Sequence, residues 1–260
     1  MGPTETLLGE AWEHFDSTLG ETVKDLIILS PCFYPTPAPS SLMAASCLKN
    51  GLDVVIYGVG EEFIPHGAHA QVVRLLEVME REKLAETALV TDCRDVLFLA
   101  GEDEILGKAG AFNAPVVMST EINCWPSDPE VVKYFFGSSP HGYDYVNAGQ
   151  FIGSWEYVKH CLRHLIHKYR TNHTGLDNSQ AWWPYAIMRG ELNVALDREC
   201  EIFQTMTGGA DSHLVRDRLE AGPPRRVFNI RTNSLPCSVH FNGNPNTNEP
   251  HAQLFHEIFE

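Results

Sequence analysis

The sequence predicts an α/β fold, a three-layer sandwich with a mostly parallel central sheet. Three observations carry this prediction. Short apolar runs at residues 23–29 (VKDLIIL), 53–57 (DVVIY) and 87–90 have the length of buried strands. Residues 71–84 place Val72, Leu75, Leu76 and Met79 at the i, i+3, i+4, i+7 spacing of a helix face. The two kinds of segment alternate, which is the order of strand–helix–strand units.

In chain order, the strand at 23–29 runs into a proline-rich loop, PCFYPTPAPS. Residues 40–50 form a short helix closed by Gly51, a residue suited to a helix C-terminus. The strand at 53–57 precedes a loop over 58–65, and the helix at 71–84 leads to the strand at 87–90. Further strands are expected at 115–119 (PVVMS) and 146–152. Residues 155–169 form an amphipathic helix with Trp155, Val158, Leu162, Leu165, Ile166 and Tyr169 on one face. A helix interrupted near Pro184 is expected at 181–188, then short apolar pieces at 194–196, 202–203 and 227–230 and a last ordered segment at 252–259. No repeat or low-complexity linker divides the chain, so residues 1–260 are expected to form one domain.

Composition narrows the class. An apolar fraction of 43% with 20% charged residues describes a folded globular protein. No apolar run approaches the ~18 residues of a membrane span, and the acidic start MGPTETLLGEAWEHF lacks the features of a signal peptide. Seven cysteines, scattered singly, suit reduced thiols, so a cytoplasmic protein is expected, or a viral one in host cytoplasm. The net charge of −15 is uneven. Residues 1–130 hold 7 basic and 21 acidic side chains, against 12 and 13 in residues 131–260. The second half therefore has room for a basic face toward a polyanion.

The chemistry-bearing segments begin with TDCRD at 91–95, where Asp92 and Asp95 stand three apart as a buried strand ends. A turn explains two aspartates there; so does a divalent cation, because hard oxygen ligands on a rigid strand end suit Mg²⁺ or Mn²⁺. His240, in SVHFNGNP, follows a short apolar–polar alternation and precedes Asn242-Gly243. Joined to the two aspartates it completes a donor set that Mn²⁺ accepts, with Asn242 and Gly243 offering donors and close backbone approach to a diphosphate. Trp125-Pro126 is either an aromatic wall for a ring or a buried packing pair. YVNAGQFIG at 145–153 offers Asn147 as a hydrogen-bonding side chain ahead of Gly149 and Gly153, which suggest tight backbone, and LDNSQAWWP at 176–184 clusters Asp177, Asn178, Ser179 and Gln180 where they would also cap a helix. His160, His164 and His167 share the polar face of the 155–169 helix with Lys159, Arg163, Lys168 and Arg170. No carboxylate joins them along that face, so a solvated basic surface is expected rather than a metal site. With Arg216, Arg218, Arg225, Arg226 and Arg231 it would make a footprint for phosphates.

Taken in order, DCRD, EINCWP, VNAGQFIG, LDNSQAWWP with LDRECEIFQ, and VHFNG resemble the glycosyltransferase domain of the procollagen lysyl hydroxylases and the related collagen-type glycosyltransferases, including viral or phage-like relatives. The likeness runs from about Val23 to Asn244. It implies a GT-A fold, a UDP-sugar donor and Mn²⁺ (or Mg²⁺), with Asp92, Asp95 and His240 as metal ligands. It further implies Trp125 beside the sugar or acceptor, Asn147 and Gln180 near the donor sugar, Asn242 and Gly243 at the nucleotide, and catalytic positions at Asp177, Asn178 and Gln180. The chain departs from that pattern at three places: only Asp177 remains of an acidic run, Gln150 stands where the family has a second glycine, and Phe241 replaces the glycine of HxNG.

The activity expected on this basis is metal-dependent transfer of a hexose from a UDP-sugar to a hydroxyl. The reduced cysteines, the compact length and the less acidic second half lean toward a hydroxymethylated base, 5-hydroxymethylcytosine in DNA, as acceptor. Hydroxylysine in collagen is the family's default, and a non-catalytic sugar-nucleotide-binding module is the alternative of another class.

Overall fold

A computed structural model describes residues 23–33, 41–59, 67–170, 179–206, 219–222, 226–242 and 248–259. Its centre is a six-stranded sheet of β1 (Lys24–Pro31), β2 (Val54–Tyr57), β3 (Ala85–Thr91), β5 (Val116–Glu121), β6 (Tyr145–Ser154) and β7 (Ala195–Asp197). The spatial order is β2-β1-β3-β6-β5-β7. β1 pairs in parallel with β2 and β3, and β5 with β7, while β6 runs antiparallel to both of its neighbours. Five strands thus point their carboxyl ends the same way, and β6 alone is reversed.

Both faces of this sheet are buried, so its strands are apolar almost throughout. Alternate residues divide between two cores. Ile27, Leu29, Ala88, Val90, Val116 and Met118 face α2 (Gly67–Arg81), α4 (Pro129–Phe135), α5 (Trp155–Leu165) and α6 (Ser179–Met188). Leu26, Ile28, Leu89 and Val117 face α1 (Ser41–Lys49) and α3 (Glu102–Ala111). This is the three-layer α/β arrangement the sequence predicts. The helix expected over 155–169 is α-helical only to Leu165 and continues as a wider π-helical turn, Ile166–Arg170.

A second sheet stands beside the first on the face that carries α1 and α3. It comprises β4 (Val96–Phe98), β8 (Phe203–Thr205) and β11 (Ser238–His240), in the order β4-β11-β8. β11 is antiparallel to β4 and parallel to β8. Its Val239 and the following Phe241 enter an apolar cluster with Leu97, Leu99, and Phe255 and Ile258 of α7 (Asn248–Phe259). Phe241, a departure from the resembling pattern, is therefore a packing residue. β9 (Leu219–Gly222) and β10 (Arg226–Asn229) form a separate antiparallel pair. The four residues 92–95 cross from β3 of the large sheet to β4 of the small one, so the aspartates lie at the junction of the two sheets.

Candidate metal centre

Asp92 is the first residue beyond β3 and Asp95 the last before β4, so each is anchored by a strand on one side. The Asp92 amide donates to the Gly149 carbonyl at 2.9 Å, and the Phe241 amide donates to the Asp95 carbonyl at 2.7 Å. His240 pairs with Val96, the neighbour of Asp95. Sheet pairing therefore delivers all three side chains to one point. His240 Nε2 lies 3.4 Å from Asp92 Oδ2 and 3.5 Å from Asp95 Oδ1. One ligand atom from each residue falls within 4.8 Å of the others. His240 is 2% exposed and the Asp92 side chain 40%, so the imidazole forms the floor and an aspartate opens the site to solvent. His240 thus ends a buried strand.

The electrostatics suit a cation. Burial alone would lower the His240 pKa, yet the Asp95 and Asp92 carboxylates outweigh it and raise it to about 10. The carboxylate pair that favours positive charge on the buried imidazole would equally favour a divalent cation, whose binding requires the imidazole in its neutral form. The backbone leaves room: a Cβ on Gly149 would lie 2.3 Å from His240 Cε1 and 2.7 Å from Asp92 Oδ2. The donor set and its cradle therefore fit Mn²⁺ or Mg²⁺.

Gly149 reaches this position through a bulge. Met118 pairs with Phe151 but Ser119 pairs with Asn147, so Ala148, Gly149 and Gln150 have no partners on β5. Bulges of this kind re-aim backbone at functional sites.

Beside the aspartates and histidine stands Glu121, the last residue of β5, which sequence reasoning passed over. Its Oε1 accepts from Asn147 Nδ2 and Gln180 Nε2, both at 3.0 Å, and its Oε2 from Asn242 Nδ2 at 3.0 Å. Three of the sequence-selected amides thus converge on one buried carboxylate. Gln180 also accepts from the Ala148 amide at 3.0 Å, and Asn147 Oδ1 from the Gly149 amide at 3.0 Å, which pins the bulge. The available signal was the one that singled out Asp92: an acid continuing a buried apolar run.

Burial raises the Glu121 pKa to about 7, against the pull of its three amide donors. Folding therefore favours its protonated form, and that contribution is complete below the ordinary value of 4.5 and lost as pH climbs to about 7. Metal-free wild type should lose stability relative to Glu121→Gln over this interval, on the order of 3 kcal/mol. Urea unfolding of both proteins at about pH 4.5 and about pH 7.5 checks it; a pH-independent difference would contradict it.

Trp125 is 59% exposed on the loop after β5, which sets aside the buried packing pair. Asp177, Asn178 and Gly243 lie outside the described residues. The basic face of α5 differs from expectation, because carboxylates do join it. Glu191, distant in sequence, accepts from His164 at 2.9 Å, from Tyr169 at 3.1 Å and from Lys168. Arg163 pairs with Glu80 and Lys159 with Glu156. Arg226 makes two bonds to Glu104, and Arg231 lies over the Tyr143 ring. Arg216, Arg218 and Arg225 lie outside the described residues.

Comparison with known proteins gives the family. The PLOD GT domain family matches residues 41–249. Human procollagen-lysine,2-oxoglutarate 5-dioxygenase 2 is 31% identical over 203 residues, which cover 73% of this chain and 26% of that protein. An uncharacterised protein of Acanthamoeba polyphaga mimivirus is 29% identical over 206 residues, 76% of this chain and 41% of the relative. The chain thus spans about a quarter of the dioxygenase's length and under half of the viral relative's. Among solved structures, a glycosyltransferase involved in glycosylation of the major capsid of PBCV-1 superposes with a TM-score of 0.53 at 13% identity, covering 90% of this chain and all of the other. That likeness concerns the fold. The family match extends across both aspartates, the Glu121 cluster and His240, and the chain belongs to the PLOD GT domain family of glycosyltransferases.

Proposed function

We propose that this chain moves a hexose from a UDP-sugar to a hydroxyl acceptor, with Mn²⁺ or Mg²⁺ held by Asp92, Asp95 and His240. The convergence of these three residues at the junction of two sheets is the observation that carries the reading. In the transfer, the bond from the anomeric carbon to the diphosphate oxygen breaks. A bond from the acceptor oxygen to that carbon forms, and the hydroxyl proton is released. The bound cation supplies Lewis-acid stabilisation of the departing diphosphate.

The chain's own contribution is orientation. Glu121 fixes Asn147, Gln180 and Asn242, so these amides shape the floor of the donor pocket. Exposed Trp125 offers a flat face for a sugar ring or the acceptor. Asp177 and Asn178, just ahead of Gln180, are the candidates for direct contact with the reacting sugar, and Gly243 for close approach to the diphosphate.

For the acceptor, the pairing of Lys159, Arg163, Lys168 and Arg226 with carboxylates, among the described residues, weakens the support for a phosphate backbone. A protein hydroxyl of the hydroxylysine class, which the procollagen-lysine relatives suggest, fits better than 5-hydroxymethylcytosine in DNA. The test supplies labelled UDP-glucose, UDP-galactose or UDP-N-acetylglucosamine, with and without Mn²⁺, to a hydroxylysine peptide and to hydroxymethylcytosine DNA. Mn²⁺-dependent labelling of the peptide is expected. Labelling of DNA alone would overturn the acceptor, and metal-independent transfer would overturn the mechanism.

A further inference from the structure

We propose that Gln150 is a positioning residue for the cation site: it fixes β11, and with it His240, against the strand that delivers Asp92. The proposal rests on the metal reading above.

Gln150 belongs to the bulge of β6, and its side chain is fully buried between the two sheets. Its Nε2 donates to Ser238 Oγ on β11 at 2.9 Å and to Thr91 Oγ1 on β3 at 3.2 Å. Ser238 Oγ donates in return to Gln150 Oε1 at 3.2 Å. Thr91 is the residue before Asp92. Ser238 is two residues before His240, so both project from one face of the strand. Two residues beyond His240, Asn242 donates to Glu121. His240 is therefore bracketed by two tethers to the central sheet, one through Gln150 and one through Glu121.

The other supports of β11 do not replace them. Its ladders to β4 and β8 fix its place within the small sheet, and Val239 and Phe241 secure its opposite face. The gap across to Asp92 is set by what bridges the two sheets. The imidazole lacks a guide of its own, since Nδ1 has no hydrogen-bond partner among the described residues. Metal-binding histidines are commonly aimed by a bond at the second ring nitrogen. Here the strand must aim the ring instead. A buried amide is costly unless its polar atoms are paired, and both ends of Gln150 are.

The test compares wild type, Gln150→Met, Ser238→Ala and the double variant. Mn²⁺ dissociation constants are read from the EPR signal of free Mn²⁺, well below the unfolding temperature of each metal-free protein. Each single variant should bind Mn²⁺ about ten-fold more weakly, the lower end of what partners of metal ligands contribute. The double should be no weaker than the poorer single, because both changes cut one tether. Ser238→Ala removes a single oxygen and carries the test if Gln150→Met does not fold. Variants that unfold earlier yet bind Mn²⁺ like wild type would make Gln150 merely structural and overturn this proposal alone. Wild type that binds no Mn²⁺ would overturn the metal reading and this proposal with it.

Discussion

Asp95→Ala is expected to lower Mn²⁺-dependent sugar transfer by at least about 10³-fold, which is about 4 kcal/mol of transition-state stabilisation. The substitution removes one of three donors and half of the carboxylate charge facing His240. It leaves the main-chain bond from Phe241 to residue 95 in place, so the crossover between the sheets should persist. Asp95→Asn keeps the shape and loses the charge, and should be nearly as inactive. Asp92→Ala should behave alike, since its Oδ2 approaches the same imidazole nitrogen. UDP release with and without Mn²⁺ measures the loss, and Mn²⁺ EPR shows whether binding has gone too. Retention of Mn²⁺-dependent turnover by Asp95→Ala would remove the aspartates from the mechanism.

Gly149→Ala should be almost as damaging, although it changes no charged or polar group. The added Cβ would meet His240 Cε1 at 2.3 Å, Asp92 Oδ2 at 2.7 Å and Asn147 Oδ1 at 3.0 Å. His240 is buried and Asn147 is held by Glu121, so neither retreats easily, and the half-exposed Asp92 carboxylate yields only by turning away from the site. Overpacking of this kind costs ~1–3 kcal/mol of stability. The larger consequence is displacement of two ligands, with Mn²⁺ affinity expected to fall about 100-fold. Gly153→Ala is the matched control. Its Cβ would meet the Pro115 carbonyl at 2.5 Å and Val116 at 2.6 Å, away from the cation site. It should lower stability and spare metal affinity. Equal effects of both substitutions on Mn²⁺ binding would contradict the cradle assigned to Gly149.

The sequence made the fold class and the aspartate–histidine set readable for a definite reason. Strands buried on both faces stand out as apolar runs, and acids at their ends are conspicuous. The helix α4 was not anticipated, although its Asp128-Pro129 start, a capping aspartate followed by proline in the first turn, is a local signal. Other features were not local. The reversed direction of β6 leaves no trace in a pattern that looks the same from either end. The bulge at Ala148–Gln150 depends on register against β5, and only its glycine hinted at it. Glu121 gains its three amide partners from segments 26, 59 and 121 residues away. The charge of the α5 face was misjudged for the same reason, because Glu191, which pairs with His164 and Lys168, belongs to another segment.

Crystals soaked in Mn²⁺ and UDP, with anomalous diffraction collected at the manganese edge, test the central claim most directly. The account predicts one strong peak bounded by Asp92, Asp95 and His240, with ligand distances near the ~2.0–2.6 Å usual for hard divalent ions and the diphosphate on its open side. A peak at the His160–His164 face of α5, or none at the junction of the two sheets, would contradict it.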